Sequence, residues 1–199
     1  MSINIIAALS KNRVIGLNGR IPWNLPKDLK YFKDVTTGKY VITNKGKNAL
    51  LMGSKTWQSL PTYPEPLKER GSYVVTKKNA FCTRSSLSYP RMPDYDDIKR
   101  IQKIYPNVWI CGGESIYNHF IEKPYIDKLY LTEIDADIEG DTFFPEIPDY
   151  FFKTIQGETH TFKHDALNYV NYNFCVYSNC GLTKSRMYTE NLKIESNII

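Results

Sequence analysis

One carboxylate stands out in the segment WNLPKDLKYF, residues 23–32. Asn24 can cap a helix there, and Pro26 suits the first turn of that helix. Asp28 falls on the apolar face of the helix, so we predict that it points inward. The apolar residues of that face are Leu25, Leu29 and Phe32.

An inward carboxylate can form two parallel, charge-assisted hydrogen bonds to the edge of a flat heterocycle such as a pterin. Burial would raise the pKa of Asp28 and make it a proton donor near neutral pH. The alternative is a solvated first-turn acid that complements the helix dipole. The pattern alone leaves both interpretations open.

Three predicted strands run directly into turns with small, hydroxyl or basic residues, in LLM-GSKT, YVV-TKK and WIC-GGES. Such turns expose backbone N–H groups that can hold phosphates. The side chains that would assist are Ser54, Lys55, Thr56, Thr76, Lys77, Lys78 and Ser115. Each turn by itself is no evidence for a phosphate site, because small and hydroxyl residues are common in turns. Together they favour a dinucleotide, although the GxGxxG fingerprint of the common Rossmann enzymes is missing.

Histidines and cysteines give little support for a metal site. His160 and His164 share a face in a strand, but no third ligand is evident, and we predict no metal. The cysteines contain no CxxC pair and are expected to be reduced. They are Cys82, Cys111, Cys175 and Cys180.

Composition limits the classes of protein. The chain has 199 residues, of which 42% are hydrophobic and 24% charged, enough for one buried core. Its net charge of +5 comes from scattered lysines, which suits a small phosphorylated ligand better than nucleic acid. The early apolar run Ile5–Leu9 is too short for a signal sequence or a membrane span, so a cytoplasmic protein is expected.

Alternating strands and helices predict an α/β fold: a single domain with a mostly parallel central sheet, flanking helices and an antiparallel hairpin at the C-terminal edge. The predicted strands are Ile3–Leu9, Ala49–Met52, Ser72–Thr76, Val108–Cys111, Lys128–Ile134 and Tyr172–Tyr177. The predicted helices are Leu25–Thr36, Lys55–Leu60, Tyr95–Ile104 and Ser115–Phe120. Thr37–Lys47 and Thr62–Glu69 are expected to be surface connections. Residues 1–180 would form the domain and residues 181–199 a polar tail or linker.

Four motifs carry a family resemblance: IPWNLPKDLKYF, GSKTW, ICGGESIY and EGDTFFP. In their order and spacing the chain resembles the dihydrofolate reductases from Ile3 to about Tyr177. The resemblance implies NADPH-dependent reduction of 7,8-dihydrofolate to 5,6,7,8-tetrahydrofolate. It also implies a monomer, unless the tail leads into a fused partner such as thymidylate synthase.

The resemblance assigns roles to individual residues. Asp28 would be the sole ionisable catalytic group, which binds the pterin and promotes its protonation with support from Thr132. Trp23 and Ile21 would lie in a mobile loop that includes Val14–Arg20 and closes over the nicotinamide. The substrate would contact Ile6, Ala7, Asp28, Leu29, Phe32, Lys33, Leu60, Leu67, Arg70 and Thr132. The cofactor would contact Ala8, Ile15, Gly16, Gly19, Arg20, Ser54, Lys55, Thr56, Thr76, Lys77, Lys78, Cys111, Gly112, Gly113, Glu114, Ser115, Ile116 and Tyr117.

Other features implied by the resemblance concern geometry. Gly112-Gly113 would carry a cis peptide, and Arg70 would bind the glutamate α-carboxylate. In EGDTFFP the acidic loop would contact the mobile loop, with Phe143 and Phe144 packing inward. Ser54 departs from the family, because many members have a second basic residue there. The 2′-phosphate would therefore depend on Lys55 and Lys77.

Two rival functions fit parts of the pattern. The related reductase of riboflavin biosynthesis shares the fold and NADPH, but it should lack the WNLPxD helix. A non-catalytic folate- or nucleotide-binding protein could keep the fold without turnover. The combination of Asp28, Trp23 and Gly112-Gly113 argues against such a protein.

Overall fold

The computed structural model of the chain describes residues 1–39, 48–76, 86–163 and 169–181. The elements in these residues, in chain order, are β1 (Ser2–Ser10), β2 (Val14–Gly16), α1 (Pro26–Thr36), β3 (Asn48–Gly53), α2 (Ser54–Ser59), β4 (Arg70–Val75), β5 (Ser86–Tyr89), α3 (Tyr95–Gln102), β6 (Asn107–Ile110), α4 (Glu114–Phe120), β7 (Lys128–Ile134), β8 (Thr142–Phe143), β9 (Phe151–Lys163) and β10 (Tyr169–Asn179). Residues 182–199, most of the predicted tail, lie outside the described residues.

The central sheet has eight strands in the order β5-β4-β3-β6-β1-β7-β10-β9. The first six strands in this order, from β5 to β7, are parallel to one another, whereas β10 runs antiparallel to both β7 and β9. The predicted fold class, a mostly parallel α/β sheet with an antiparallel C-terminal edge, is confirmed. A second, two-stranded sheet joins β2 to β8.

The composition of the edge hairpin differs from the prediction. We expected the hairpin to pair Lys128–Ile134 with Tyr172–Tyr177, but it is formed by β9 and β10, and β10 lies between β7 and β9. Apart from the segment around His160, which was expected to be a strand or hairpin, the prediction missed β9, because its sequence, FFKTIQGETHTFK, is mostly polar and its side chains are mostly exposed. An edge strand with little burial lacks the alternating pattern that marks a strand in a sequence.

Apolar side chains on the two faces of the sheet explain where the helices pack. On one face Val35 of α1 and Trp57 of α2 pack against Ile6, Leu50 and Met52. On the other face α3 and α4 contribute the buried side chains Ile98, Ile101, Ile116, Tyr117 and Phe120. Because alternate residues of a strand point to opposite faces, β1 contributes Ile5 to one core and Ile6 to the other.

The start of α1 corrects one detail of the prediction. Pro26 occupies the first turn as expected, but Leu25 is the N-cap residue, and the cap makes no side-chain hydrogen bond. A residue that precedes proline is driven out of the helical region, which places the helix boundary at Leu25. Asn24 is therefore one position too early to cap the helix.

The motif EGDTFFP holds the loop that follows β1. Val14 pairs with Phe143 and Gly16 with Thr142, and Asp141 Oδ2 accepts a hydrogen bond of 2.8 Å from the Asn18 backbone N–H. The expected contact between the acidic loop and the mobile loop is confirmed. Phe144 is fully buried as predicted, but Phe143 is 40% exposed, so the prediction that it packs inward is wrong.

Three further observations concern the cysteines, metal ligands and membranes. Cys111, Cys175 and Cys180 are free thiols, whereas Cys82 and His164 lie outside the described residues. Within the described ranges, no group of histidine, cysteine and acidic side chains could hold a metal ion. No helix in those same ranges is both long and apolar enough to cross a membrane.

Candidate active site

A cleft of about 740 Å³ crosses the sheet at the carboxyl ends of β1, β3 and β6, within the usual size of small-molecule sites. In an α/β sheet, this edge is where ligands ordinarily bind. Its walls come from these strands, from the start of α1, α2 and α4, and from the loop after β1.

Most predicted site residues with described side chains line this cleft. They are Ile6, Ala7, Ala8, Ile15, Gly16, Gly19, Arg20, Trp23, Asp28, Leu29, Phe32, Ser54, Lys55, Thr56, Leu60, Thr76, Cys111, Gly113, Glu114, Ser115, Ile116 and Tyr117. The predicted residues that do not line it are Lys33, Leu67, Arg70, Gly112 and Thr132. Lys77 and Lys78 lie outside the described residues.

Asp28 reaches the cleft from the first turn of α1. Its Oδ1 accepts a hydrogen bond of 2.6 Å from Thr132 Oγ1, and Thr132 is only 2% exposed at the sheet surface beneath it. Burial raises the pKa of Asp28, and the hydrogen bond from Thr132 opposes that rise in part. Asp28 Oδ2 accepts no hydrogen bond from the described part of the chain, so this oxygen can serve a ligand.

The apolar face of α1 is shared between the core and the cleft. Leu25 is buried, but Leu29 is 60% exposed although it lines the cleft, and Phe32 is partly buried. Leu29 therefore does not belong to the protein core. Its position presents an apolar surface beside Asp28 that a ligand could cover.

The N-termini of α2 and α4 meet at the opposite end of the cleft. Gly113 is the N-cap residue of α4, joined to Gly112 by a cis peptide bond as the resemblance implied. Gly112 has φ of 89°, and a Cβ there would lie 2.6 Å from the ring of Tyr117. A Cβ on Gly113 would contact Thr56 Oγ1 at 3.4 Å. The positive φ and the nearby Tyr117 ring therefore require glycine at position 112.

Tyr117 forms part of the floor of the cleft and is itself buried. Its hydroxyl donates a hydrogen bond of 2.8 Å to the backbone carbonyl of Ile6. Burial raises the pKa of Tyr117 well above its ordinary value, so the phenol stays neutral at physiological pH. Tyr117 therefore joins α4 to β1 and carries no charge into the cleft.

Arg70 lies beside the cleft rather than in its wall. Its Nη1 donates a hydrogen bond of 2.8 Å to Thr36 Oγ1, and its Nε donates one of 3.1 Å to the carbonyl of Lys68. The guanidinium carbon stands 5.8 Å from the centre of the Phe32 ring, which does line the cleft. These contacts fix the guanidinium at the outer end of the apolar wall.

Several lining residues were not predicted from the sequence: Met52, Gly53, Ser59, Pro61, Val75, Pro90, Arg91, Met92 and Thr142. Met52, Gly53 and Val75 could have been found, because Met52 and Val75 directly precede turns that we did single out and Gly53 begins one of them. Arg91 follows the short strand β5, whose four residues give no clear pattern. Its Nη1 forms an ion pair of 2.8 Å with Asp97 Oδ2.

Together these elements define an α/β protein with a ligand-sized cleft, which has one carboxylate at an apolar end and a glycine-lined meeting of two helix N-termini at the other. The sequence model of the dihydrofolate reductase family matches residues 2–179 of this chain. The chain is 36% identical over 182 residues to the dihydrofolate reductase of Buchnera aphidicola, covering 89% of this chain and 99% of that protein. It is 34% identical over 182 residues to that of Heliothis virescens, covering 89% and 97%.

A bifunctional dihydrofolate reductase-thymidylate synthase of Arabidopsis thaliana is 34% identical over 149 residues. That match covers 72% of this chain but only 28% of the plant protein. This chain therefore spans nearly the full length of the two single-function relatives and a minor part of the bifunctional one. The chain belongs to the dihydrofolate reductase family, a family of oxidoreductases.

Proposed function

We propose that this protein catalyses the NADPH-dependent reduction of 7,8-dihydrofolate to 5,6,7,8-tetrahydrofolate. Asp28 carries the proposal, since it is a carboxylate in an apolar cleft with one oxygen held by Thr132. A partly buried carboxylate with one oxygen left without a hydrogen bond is costly, so a ligand with N–H donors would satisfy it. The pterin edge of dihydrofolate offers such donors.

The substrate would occupy the end of the cleft near α1. Ile6, Leu29 and Phe32 form apolar walls there that suit flat aromatic rings. Arg70, fixed beside Phe32, would pair with the α-carboxylate of the glutamate tail. The distance between a pterin site at Asp28 and a carboxylate site at Arg70 would then set the orientation of the substrate.

The other end of the cleft fits a dinucleotide phosphate cofactor. The backbone N–H groups at the start of α2 and α4 would bind its phosphates, assisted by the hydroxyls of Ser54, Thr56 and Ser115. Gly113 lines this end of the cleft and has no side chain that would separate its backbone from a bound phosphate. Lys55 would supply positive charge for the 2′-phosphate.

In the reaction, bound NADPH supplies the hydride. Asp28 grips and orients the pterin, and its raised pKa suits a group that promotes protonation of the ring nitrogen. Thr132 holds the carboxylate in one orientation, and Trp23 covers the cleft from the loop side. Excluding water strengthens the charge-assisted contact between Asp28 and the ring.

The test is a turnover assay with the purified chain, dihydrofolate and NADPH, followed by the loss of NADPH absorbance. Stoichiometric formation of tetrahydrofolate is the expected result. Dihydrofolate binding without turnover would instead indicate a folate-binding protein. Turnover of a pyrimidine sugar phosphate but not of dihydrofolate would indicate the related reductase of riboflavin biosynthesis.

We also propose that residues 1–180 are the catalytic domain, that residues 181–199 are a tail or linker, and that the protein acts in the cytoplasm. The three free thiols favour a reducing compartment. A monomer is expected unless the tail leads into a partner domain such as thymidylate synthase. The intact mass of the natural gene product distinguishes these cases.

A further inference from the structure

The N-terminal half of helix α1 contacts strands β7 and β10 at two neighbouring points, whereas its C-terminal end is held by the bond from Arg70 to Thr36. Asp28 accepts its hydrogen bond from Thr132 of β7. One turn later, the ring of Tyr31 stacks on Phe174 of β10, with ring centroids 4.1 Å apart and an interplanar angle of 25°. Thr132 and Phe174 are themselves register partners across the antiparallel pair β7 and β10.

The two contacts are neighbours on the helix and on the sheet. Residues three apart, such as Asp28 and Tyr31, lie next to each other on a helix surface. Their partners, Thr132 and Phe174, are register partners on adjacent strands. A shift of α1 by one residue would move it about 1.5 Å and turn it by roughly 100°, which would separate both pairs.

Phe174 is fixed from its other sides. The ring of His160 lies 5.3 Å from it at an angle of 62°, and the ring of Tyr172 lies 5.8 Å from it at 86°. Both are edge-to-face contacts, an arrangement that stabilises aromatic pairs. The N-terminus of α1 has no side-chain cap, so packing against the sheet must set its position.

Tyr31 and Phe174 do not line the cleft, although Asp28 and Phe32 on the same helix do. Neither ring lines the cleft, so both can affect catalysis only through the placement of the elements that carry Asp28 and Thr132. We propose that Tyr31 and Phe174 are positioning residues, whose stacked rings hold the helix in the register at which Asp28 meets both Thr132 and the substrate. This inference rests on the proposed function and adds to it a requirement outside the cleft.

The test compares Phe174→Leu and Tyr31→Leu with the matched control Phe151→Leu. Phe151 is a buried aromatic in β9 that packs in the core on the opposite face of the sheet, away from α1. Loss of the stacked pair is expected to lower kcat/KM for dihydrofolate about five- to ten-fold, with KM for NADPH unchanged. Phe174→Tyr and Tyr31→Phe keep the rings and should restore near wild-type values.

A second measurement separates positioning from general destabilisation. In an Asp28→Asn background, Phe174→Leu should lower kcat/KM less than two-fold, because the carboxylate it positions is gone. An undiminished loss in that background would overturn the proposal. So would an equal loss of kcat/KM in Phe151→Leu at a matched melting temperature, or a failure of Phe174→Tyr to restore activity.

The outcomes for the wild-type protein distinguish the two proposals. A wild-type chain that turns over dihydrofolate while Phe174→Leu and Tyr31→Leu behave like the control overturns the positioning role alone. A folded wild-type chain without turnover overturns the proposed function and the positioning role together. Circular dichroism and thermal melting of each variant establish that the folded protein is compared.

Discussion

Thr132 Oγ1 and Asp28 Oδ1 are 2.6 Å apart, although the two residues are separated by 104 positions in the chain. Because Thr132 is buried in β7, its hydroxyl fixes one oxygen of the carboxylate and leaves the other toward the cleft. The bond also lowers a pKa that burial raises. The proton affinity of Asp28 is thus set by two opposing effects, and each can be altered separately.

Asp28→Asn should abolish most activity while the fold survives. The change keeps the size of the side chain but removes its charge and its titration. General acid–base assistance increases rates by roughly 10² to 10⁴. We therefore expect kcat with dihydrofolate to fall by roughly 10²-fold to 10⁴-fold or more at neutral pH. Rates should recover partly at low pH, where solvent protonates the substrate. Near wild-type kcat with an unchanged pH profile in a folded variant would refute the role of Asp28.

Thr132→Val removes the hydroxyl and keeps the shape. Without the hydrogen bond the pKa of Asp28 should rise further, so the pH midpoint that Asp28 imposes on kcat/KM should move upward. Hydrogen bonds to charged groups contribute about 1.5–3 kcal/mol, which corresponds to a fall of roughly ten-fold or more in kcat/KM. Steady-state rates measured across pH provide the test. Thr154→Val, which removes a hydroxyl that bonds to Val176 far from the cleft, should leave the midpoint unchanged.

The central part of the fold could be predicted because its strands are continuous apolar runs. Residues 49–52 of β3 are each no more than 1% exposed, so the sequence there has no polar interruption. The strands β2, β5 and β8 have only three, four and two residues, too few for a period to emerge. Their pairing depends on distant partners, such as Val14 with Phe143, and this information is not local.

The residues of the candidate site also differ in whether a local sequence pattern could predict them. Asp28 could be predicted, because an acid on an apolar helix face is a local pattern. The bond from Thr132 could be expected only from the family resemblance, since nothing in the sequence of β7 distinguishes Thr132 from an ordinary strand residue. Arg91 was missed because its position depends on ion pairs with Asp94 and Asp97, which no local sequence pattern indicates.

Arg70→Lys should weaken the binding of dihydrofolate but not of a dihydropterin without the glutamate tail. The planar guanidinium of Arg70 bonds to Thr36 and Lys68 and would still have donors left for a carboxylate. A lysine cannot reproduce this arrangement. KM for dihydrofolate should rise about ten-fold, in line with the loss of one charge-assisted pair. Equal losses for the two substrates would show that Arg70 is only structural.

Lys55→Gln should reduce the preference for NADPH over NADH. Lys55 is exposed and lines the cleft, whereas Arg91 is already paired with two carboxylates. KM for NADPH should rise by roughly ten-fold, with little change for NADH, because only NADPH carries the 2′-phosphate. Lys99→Gln, an exposed change on α3, serves as the control. A parallel rise for both cofactors would assign recognition of the phosphate to another residue.

The raised pKa of Asp28 also makes a prediction about stability that needs no substrate. In the unfolded chain an aspartate has a pKa of about 3.9, and burial raises the pKa of Asp28 above that value in the folded protein. The folded state therefore binds a proton more tightly than the unfolded state does. The wild-type protein should lose stability as pH rises from about 4 through the folded pKa, by about 1.4 kcal/mol for each unit of the rise.

Asp28→Asn has no such titration, so the ligand-free variant should be more stable than wild type at neutral pH. The gap should shrink as pH falls and close below about 4, where Asp28 becomes protonated in the unfolded chain as well. Asp141→Asn is a control for which the opposite change in stability is expected. Hydrogen bonds from Thr142 and from the Asn18 backbone lower the pKa of Asp141, whereas burial raises that of Asp28. That variant should be less stable than wild type at neutral pH, with a gap that closes as pH falls through the lowered pKa. Urea unfolding midpoints measured across pH test both, and a less stable Asp28→Asn at neutral pH would contradict the burial of an unsatisfied charge.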